Sequence, residues 1–318
     1  MNDTIESSNH NKVLVLGNGF DLDLGWNTRF LDFAKSEFWP KNSYMGSIIE
    51  FLNRHKNYTN WFDIEDLIGL YASSSSSSIH KHSQQLIEIN KGLYHSIVDG
   101  FKNYLKRETE NNIRKESVAA LMLSEVVKNQ NFKSIFSFNY TDLYDIAKRL
   151  DIPVNFTYTH IHGSINDDSL IIGAPEEAKL LKGYEFLYKT FNSNYKSSSI
   201  IYDLQDAKEV VFFGHSLGPT DYHYFQLFFK NQCREDMMRS EAKKITIFTY
   251  DDASRISILN QLRTMNDKKT NLLYHHNDFK IIMTKDGMGN DVKDFISQLR
   301  KTSRDEYEKE IDSVLNML

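Results

Sequence analysis

The chain has 318 residues, 40% of them hydrophobic, and 43 acidic against 38 basic side chains give a formal net charge of -5. That suffices for one large domain or two modest ones and leaves no global basic field, so nucleic acid is not expected as a partner. The only cysteine, Cys233, excludes an intrachain disulfide and a multi-cysteine zinc site; no stretch approaches the roughly 20 apolar residues that span a bilayer, and the polar opening "NDTIESSNHNK" lacks a signal peptide's apolar core, so a soluble, cytoplasmic protein is expected.

The first apolar run, "KVLVLGNG" at 12–19, reads as a buried strand that exits through Gly17 and Gly19. Glycines at such an exit let backbone N–H groups approach a phosphate, and a following helix favours the anion. The dinucleotide fingerprint G-x-G-x-x-G is not satisfied, because Leu22 stands at the third glycine position. An ordinary dehydrogenase is therefore disfavoured, and a plain strand-to-helix turn stays open. A helix follows at 28–39 with Thr28 as its expected N-cap. Residues 40–131 hold helical patterns, notably 83–108 and 116–129, with no convincing strand; the run "SSSSSS" at 73–78 reads as a flexible loop. We expect a helical insertion here that caps one edge of a sheet.

The second strand, "SIFSFNY" at 134–140, stops at Asn139, a good turn residue and a poor strand residue. A helix at 142–150 leads to "NFTYTHIHG" at 155–163, where alternation places His160 and His162 on one face. His162, beside Gly163 at the strand's end, is the better placed to meet a ligand, and a histidine satisfied by backbone bonds is the alternative. A weaker strand candidate at 169–175 and a helix at 175–191 follow. "EVVFFGHS" at 209–216 ends in Gly214, His215 and Ser216, and Asp221 is expected to cap the helix 221–238. "KKITIFTYDD" at 243–252 ends near Thr249 and Asp251. A helix at 253–265, a weak strand "FKIIM" at 279–283 and a tail helix at 305–318 complete the chain.

Strands alternating with helices argue for a mostly parallel sheet covered on both faces. Parallel sheets bind ligands beyond the carboxyl ends of their strands. The residues ending these runs, Asn18, Asp21, Asn139, His162, His215, Ser216, Thr249 and Asp251, can then face one crevice. Two other chemistries remain open. "GHSLG" matches the nucleophile elbow G-x-S-x-G superficially, with Ser216 as nucleophile and His275 or His276 as base. Asp21, Asp23 and Glu65 could gather magnesium for a nucleic-acid-directed toxin, against the acidic balance.

"GNGFDLDLG", "FNYTDL", "HIHGS" and "GHSLGPTDYHYF" occur in the order seen in the AbiH family of bacterial abortive-infection proteins, which the chain resembles over residues 16–225. That family looks distantly similar to sirtuin-like NAD-binding domains. The resemblance implies an α/β, Rossmann-like (sirtuin-like) domain from 11–39 and 132–300, a helical insertion at 40–131 and a C-terminal helix at 301–318. By position it implies Asn139 and His162 as catalytic residues. It implies contacts to the nucleotide from Gly17, Asn18, Gly19, Phe20, Asp21, Gly214, His215 and Ser216. The four-cysteine zinc module of protein-deacylating sirtuins is missing, so lysine deacylation is not expected and no metal is expected. What the resemblance implies instead is an anti-phage effector that hydrolyses NAD to nicotinamide and ADP-ribose, with an NAD- or ADP-ribose-binding sensor as the alternative. An NAD-depleting enzyme needs restraint in a healthy cell, so a homo-oligomer or a partner defence protein is expected, with the insertion and the tail as the surfaces for it.

Overall fold

Six strands form one sheet in which every neighbouring pair is parallel. The structure, a computed structural model, describes residues 11–41, 44–56, 63–73, 83–130 and 132–300. The chain enters through β1 (Lys12–Leu16), α1 (Asn18–Leu24) and α2 (Phe30–Lys35). It then runs through α3 (Ile48–Lys56), α4 (Ile64–Ala72), α5 (Gln84–Glu108) and α6 (Val118–Asn129) before returning as β2 (Ser134–Ser137). α7 (Leu143–Arg149), β3 (Thr159–His160), α8 (Ile200–Asp206) and β4 (Glu209–Phe213) follow. The last part is α9 (Tyr222–Asn231), β5 (Lys244–Thr249), α10 (Asp252–Met265), α11 (Thr270–His276) and β6 (Asp278–Met283), after which residues 290–300 are helical. No described helix is long and apolar enough to cross a membrane.

The strand order is β3-β2-β1-β4-β5-β6. Central β1 pairs with β2 on one side, Leu16 beside Ser137, and with β4 on the other, Leu16 beside Phe213. The order reverses between β1 and β4, the kind of switch point at whose carboxyl edge open α/β sheets bind ligands. Because both faces are covered, the inner strands are continuous apolar runs rather than alternating ones. Leu14 and Leu16 face α1, α6, α7 and the 290–300 helix. Val13 and Val15 face α8, α9, α10 and α11. A third core joins α2 to α5 with Ile165, Leu170, Ile172, Tyr184 and Leu187. Within 40–131 the described elements are helices, but α6 buries Val118, Met122, Leu123 and Val126 on the sheet's own core, so it serves as the crossover into β2.

Several local expectations are corrected. Residues 175–191 are not a helix: they form turns and two 3-10 turns, Glu185–Leu187 and Lys189–Phe191. Gly183 sits at φ 97°, which breaks any helix there, and Tyr184, Leu187 and Lys189 are buried instead of sharing one amphipathic face. The strand expected at 155–163 shrinks to the two residues of β3, since β2 offers only Phe136 and Ser137 for pairing. Residues 169–175 fold over the sheet's rim, where Ile171 N–H donates to the His162 carbonyl at 2.9 Å, rather than joining it. Thr28 does not cap α2; its hydroxyl donates to Asn18 Oδ1 at 2.5 Å, and Arg29 takes the cap position. α8 and α11 were not foreseen. The tail helix and most of the serine run lie outside the described residues.

Candidate active site at the carboxyl edge of the sheet

The exits of β1 and β4 meet at the carboxyl edge of the sheet. Gly17 N–H donates to the Phe213 carbonyl at 2.9 Å and Gly19 N–H to the Gly214 carbonyl at 2.8 Å. A Cβ on Gly17 would lie 2.5 Å from His215 Cα, and one on Gly214, which sits at φ 65°, would lie 2.5 Å from the Gly19 backbone. These glycines let two backbones touch, and in this conformation the N–H groups of Gly17 and Gly19 serve carbonyls rather than an anion. Asn18 is exposed and Phe20 is buried edge-on against Phe213, ring centres 5.7 Å apart.

Asp21, in the first turn of α1, is 1% exposed. Its Oδ1 accepts from Asn139 Nδ2 at 2.8 Å, and the Thr141 hydroxyl lies 3.0 and 2.9 Å from its two oxygens. Burial pushes its carboxyl up to about 7, against the pull of Thr141 and Asn139. With the amide hydrogen committed to Asp21, Asn139 Oδ1 is left buried without a partner. His160 lies 3.0 Å from the Asn139 carbonyl through Nδ1 and 3.0 Å from the Tyr158 hydroxyl through Nε2. It therefore has a partner on each nitrogen and serves as a strut between the two.

His162 belongs to a second cluster. Its Nε2 is 2.9 Å from Asp221 Oδ1, while its Nδ1 is buried with no partner among the described residues. Lys189, 4% exposed, places Nζ 2.9 Å from Glu65 Oε2 and 3.2 Å from Asp221 Oδ1. Glu65 Oε1 accepts from Gly173 N–H at 3.2 Å. His215 puts Nε2 3.7 Å from Asp221 Oδ2 and accepts the Leu217 N–H on Nδ1 at 3.0 Å. Phe138, one residue before Asn139, lies edge-on to both imidazoles, at 5.2 Å from His162 and 4.4 Å from His215. Burial lowers both histidines, His215 to about 4, with Lys189 adding to the effect, so both rings are neutral. Burial pushes Glu65 up to about 8 against the pull of Lys189. Burial also opposes ionisation of Asp221, but Lys189, His162 and His215 together hold it well below the ordinary carboxylate range.

Asn139, His162 and His215, drawn from three strand ends, thus stand in adjoining clusters on one edge. Asp221 does not cap α9: no capping bond leaves its side chain, which is held by Lys189 and His162. Ser216 is exposed. Asp251 caps α10 by accepting from Ser254 N–H at 3.0 Å. The elbow reading of Ser216 fails on topology: Ser216 follows the carboxyl end of β4, whereas His275 and His276 precede the amino end of β6 in the same parallel sheet. Asp21, Asp23 and Glu65 serve separate partners, Asn139, the Ala119 N–H and Lys189, and the described residues hold no group of three His, Cys, Asp or Glu placed to bind a metal. Lys189 escaped notice in the sequence because a lysine in a charged, helix-like stretch is ordinarily a solvated one.

The His162 cluster is flanked by residues 163–191, tied to α4 through Gly173 and Lys189 and to α5 through the Tyr94 hydroxyl, which donates to the Ile172 carbonyl at 2.5 Å. Surface cavities of about 430 Å³, beside Asn112, Lys115 and Arg149, and about 330 Å³, between α4 and residues 175–179, lie elsewhere. The family model described as "Bacteriophage abortive infection AbiH" matches residues 13–240. A search among curated proteins finds no match.

Proposed function

The chain belongs to the AbiH family of bacteriophage abortive-infection proteins, and we propose that it acts in phage defence by hydrolysing NAD to nicotinamide and ADP-ribose at the carboxyl edge of its sheet. The observation that carries this reading is the pair of buried, unpartnered acceptors at that edge, Asn139 Oδ1 and His162 Nδ1. Buried polar atoms are ordinarily satisfied, so one in each of two adjoining clusters at the carboxyl edge of a doubly wound sheet fits a polar ligand. The strand order 3-2-1-4-5-6 is also that of doubly wound dinucleotide-binding sheets, which supports the sirtuin-like reading. We assign the pyrophosphate to the carboxyl edge over the β1–β4 junction, with Asn18, His215 and Ser216 at its margins; the N–H groups of Gly17 and Gly19 are engaged with the Phe213 and Gly214 carbonyls in this conformation.

In the proposed reaction a water oxygen bonds to the anomeric carbon as the bond to the nicotinamide nitrogen breaks. The electron pair of that bond neutralises the cationic ring, and the transition state resembles an oxocarbenium ion. Asn139 Oδ1 accepts a ribose hydroxyl and holds the sugar in place. His162 Nδ1 takes the proton from water, and burial keeps the imidazole neutral for that task. Both residues are buried in the described conformation, so ligand entry requires the rim of the site to part.

The test is to incubate purified protein with NAD and measure nicotinamide. We expect release by the wild type and a drop of about 10²-fold or more in Asn139→Ala and His162→Ala, the usual worth of positioned acid–base groups. Wild-type protein that leaves NAD intact, or folded variants with full turnover, sinks the proposal. Calorimetric binding of NAD without nicotinamide release identifies a sensor module instead.

A further inference from the structure

The chemistry of His162 turns on which ring nitrogen carries the hydrogen, since a neutral imidazole has one donor and one acceptor. Two groups compete for Nε2. The Asp221 carboxylate, which only accepts, lies at 2.9 Å; the Lys189 ammonium, which only donates, lies at 3.4 Å. Lys189 is engaged elsewhere, with Glu65 Oε2 at 2.9 Å and Asp221 Oδ1 at 3.2 Å. The second oxygen of Asp221 faces another donor: His215 accepts on Nδ1, so its hydrogen sits on Nε2, 3.7 Å from Oδ2. Asp221 is thus a buried acceptor ringed by an ammonium and two imidazoles.

We propose that Asp221 is the positioning residue of the site: it holds the hydrogen of His162 on Nε2 and so leaves the Nδ1 lone pair free to take a proton, while Lys189, anchored by Glu65 of the helical insertion, keeps Asp221 ionised. The catalytic part of this inference rests on the NAD reading above; the tautomer does not. Its consequence is that the insertion completes the site, because the chain Glu65–Lys189–Asp221–His162 runs from α4 to the rim of the sheet. A buried charge that loses its partner is costly, so each member fixes the state of the next. The ionisable groups acting on His162 are Lys189 and Asp221, with His223 beyond them; His215 and Glu65 act through those two, and the Tyr140 and Tyr224 rings lie 6.5 and 6.3 Å from it.

The experiment is ¹⁵N NMR of histidine-labelled full-length protein, with the His162 resonances identified among the 11 histidines by their loss in His162→Gln. At neutral pH the wild type is expected to show Nε2 protonated and Nδ1 unprotonated. In Asp221→Asn the amide no longer compels a donor at Nε2 and Lys189 donates there, so the hydrogen moves to Nδ1. NAD turnover is then expected to fall about 10²–10⁴-fold, with an altered pH profile of kcat and little change in KM. A wild-type His162 protonated on Nδ1, or an Asp221→Asn protein that keeps the wild-type tautomer and pH profile, overturns the inference. If Asp221→Asn does not fold, the wild-type tautomer alone decides. The expected tautomers in a protein that releases no nicotinamide uphold Asp221 as positioning residue and overturn only the NAD reading.

Discussion

Asp21 shows how one side chain can cost stability for the sake of a neighbour. Its carboxyl titrates at about 7 in the fold against an ordinary 3.8. A raised carboxylate favours the folded state while protonated, so its stabilisation is greatest at low pH and is lost as pH rises from 3.8 to about 7. The gap corresponds to about 4 kcal/mol. Asp21→Asn keeps an acceptor for Asn139 Nδ2 and removes the charge. We expect it to be more stable than the wild type at pH 8, with the difference vanishing near pH 4; urea midpoints at both pH values check this, and a pH-independent difference refutes it. At this scale the placement of Asn139 and His162 just beyond β2 and β3 was legible, because a polar residue that closes an apolar run marks the strand's exit. Asp221 was misread because an aspartate before a helix ordinarily caps it. Its three buried cationic or N–H partners come from segments 6, 32 and 59 residues away in sequence, which local pattern cannot reveal.

Among the elements, the strands were the more readable: β1, β2, β4 and β5 are apolar runs buried on both faces, and that pattern survives without knowing the partners. The rim was harder. Residues 175–191 carry helical spacing, yet their fate is set by α4 and α5, against which Tyr184 and Leu187 pack. The β1–β4 junction gives the sharpest test of how elements meet. Gly214→Ala would place a methyl 2.5 Å from the Gly19 backbone in a left-handed conformation, for which strain and overpacking predict a loss of about 2–5 kcal/mol. Denaturant unfolding measures it, and a loss near zero would mean that the two exits are not in contact.

At the scale of the molecule, two cores flank the sheet and a third lies under the insertion, with Lys189 as the buried cation between the third core and the rim. Lys189→Met leaves Glu65 and Asp221 uncompensated, and we expect it to cost about 3–5 kcal/mol at pH 9. Burial pushes Glu65 up to about 8 even against the pull of Lys189, so at pH 5 it is protonated in wild type and variant alike and the loss should be smaller, whereas at pH 9 only the wild type has the cation that lets Glu65 ionise; thermal melts at the two pH values decide. Equal losses at both would show that Glu65 does not share the cation. The burial of Asn139 and His162, 4% and 5% exposed, has a quantitative consequence. A ligand admitted only by the parted form binds with its intrinsic affinity scaled by the fraction of molecules parted. One molecule in about a hundred weakens apparent affinity about a hundredfold. Anything that seizes the parted form restores it, so the site can be switched on without a single new contact at its buried side chains.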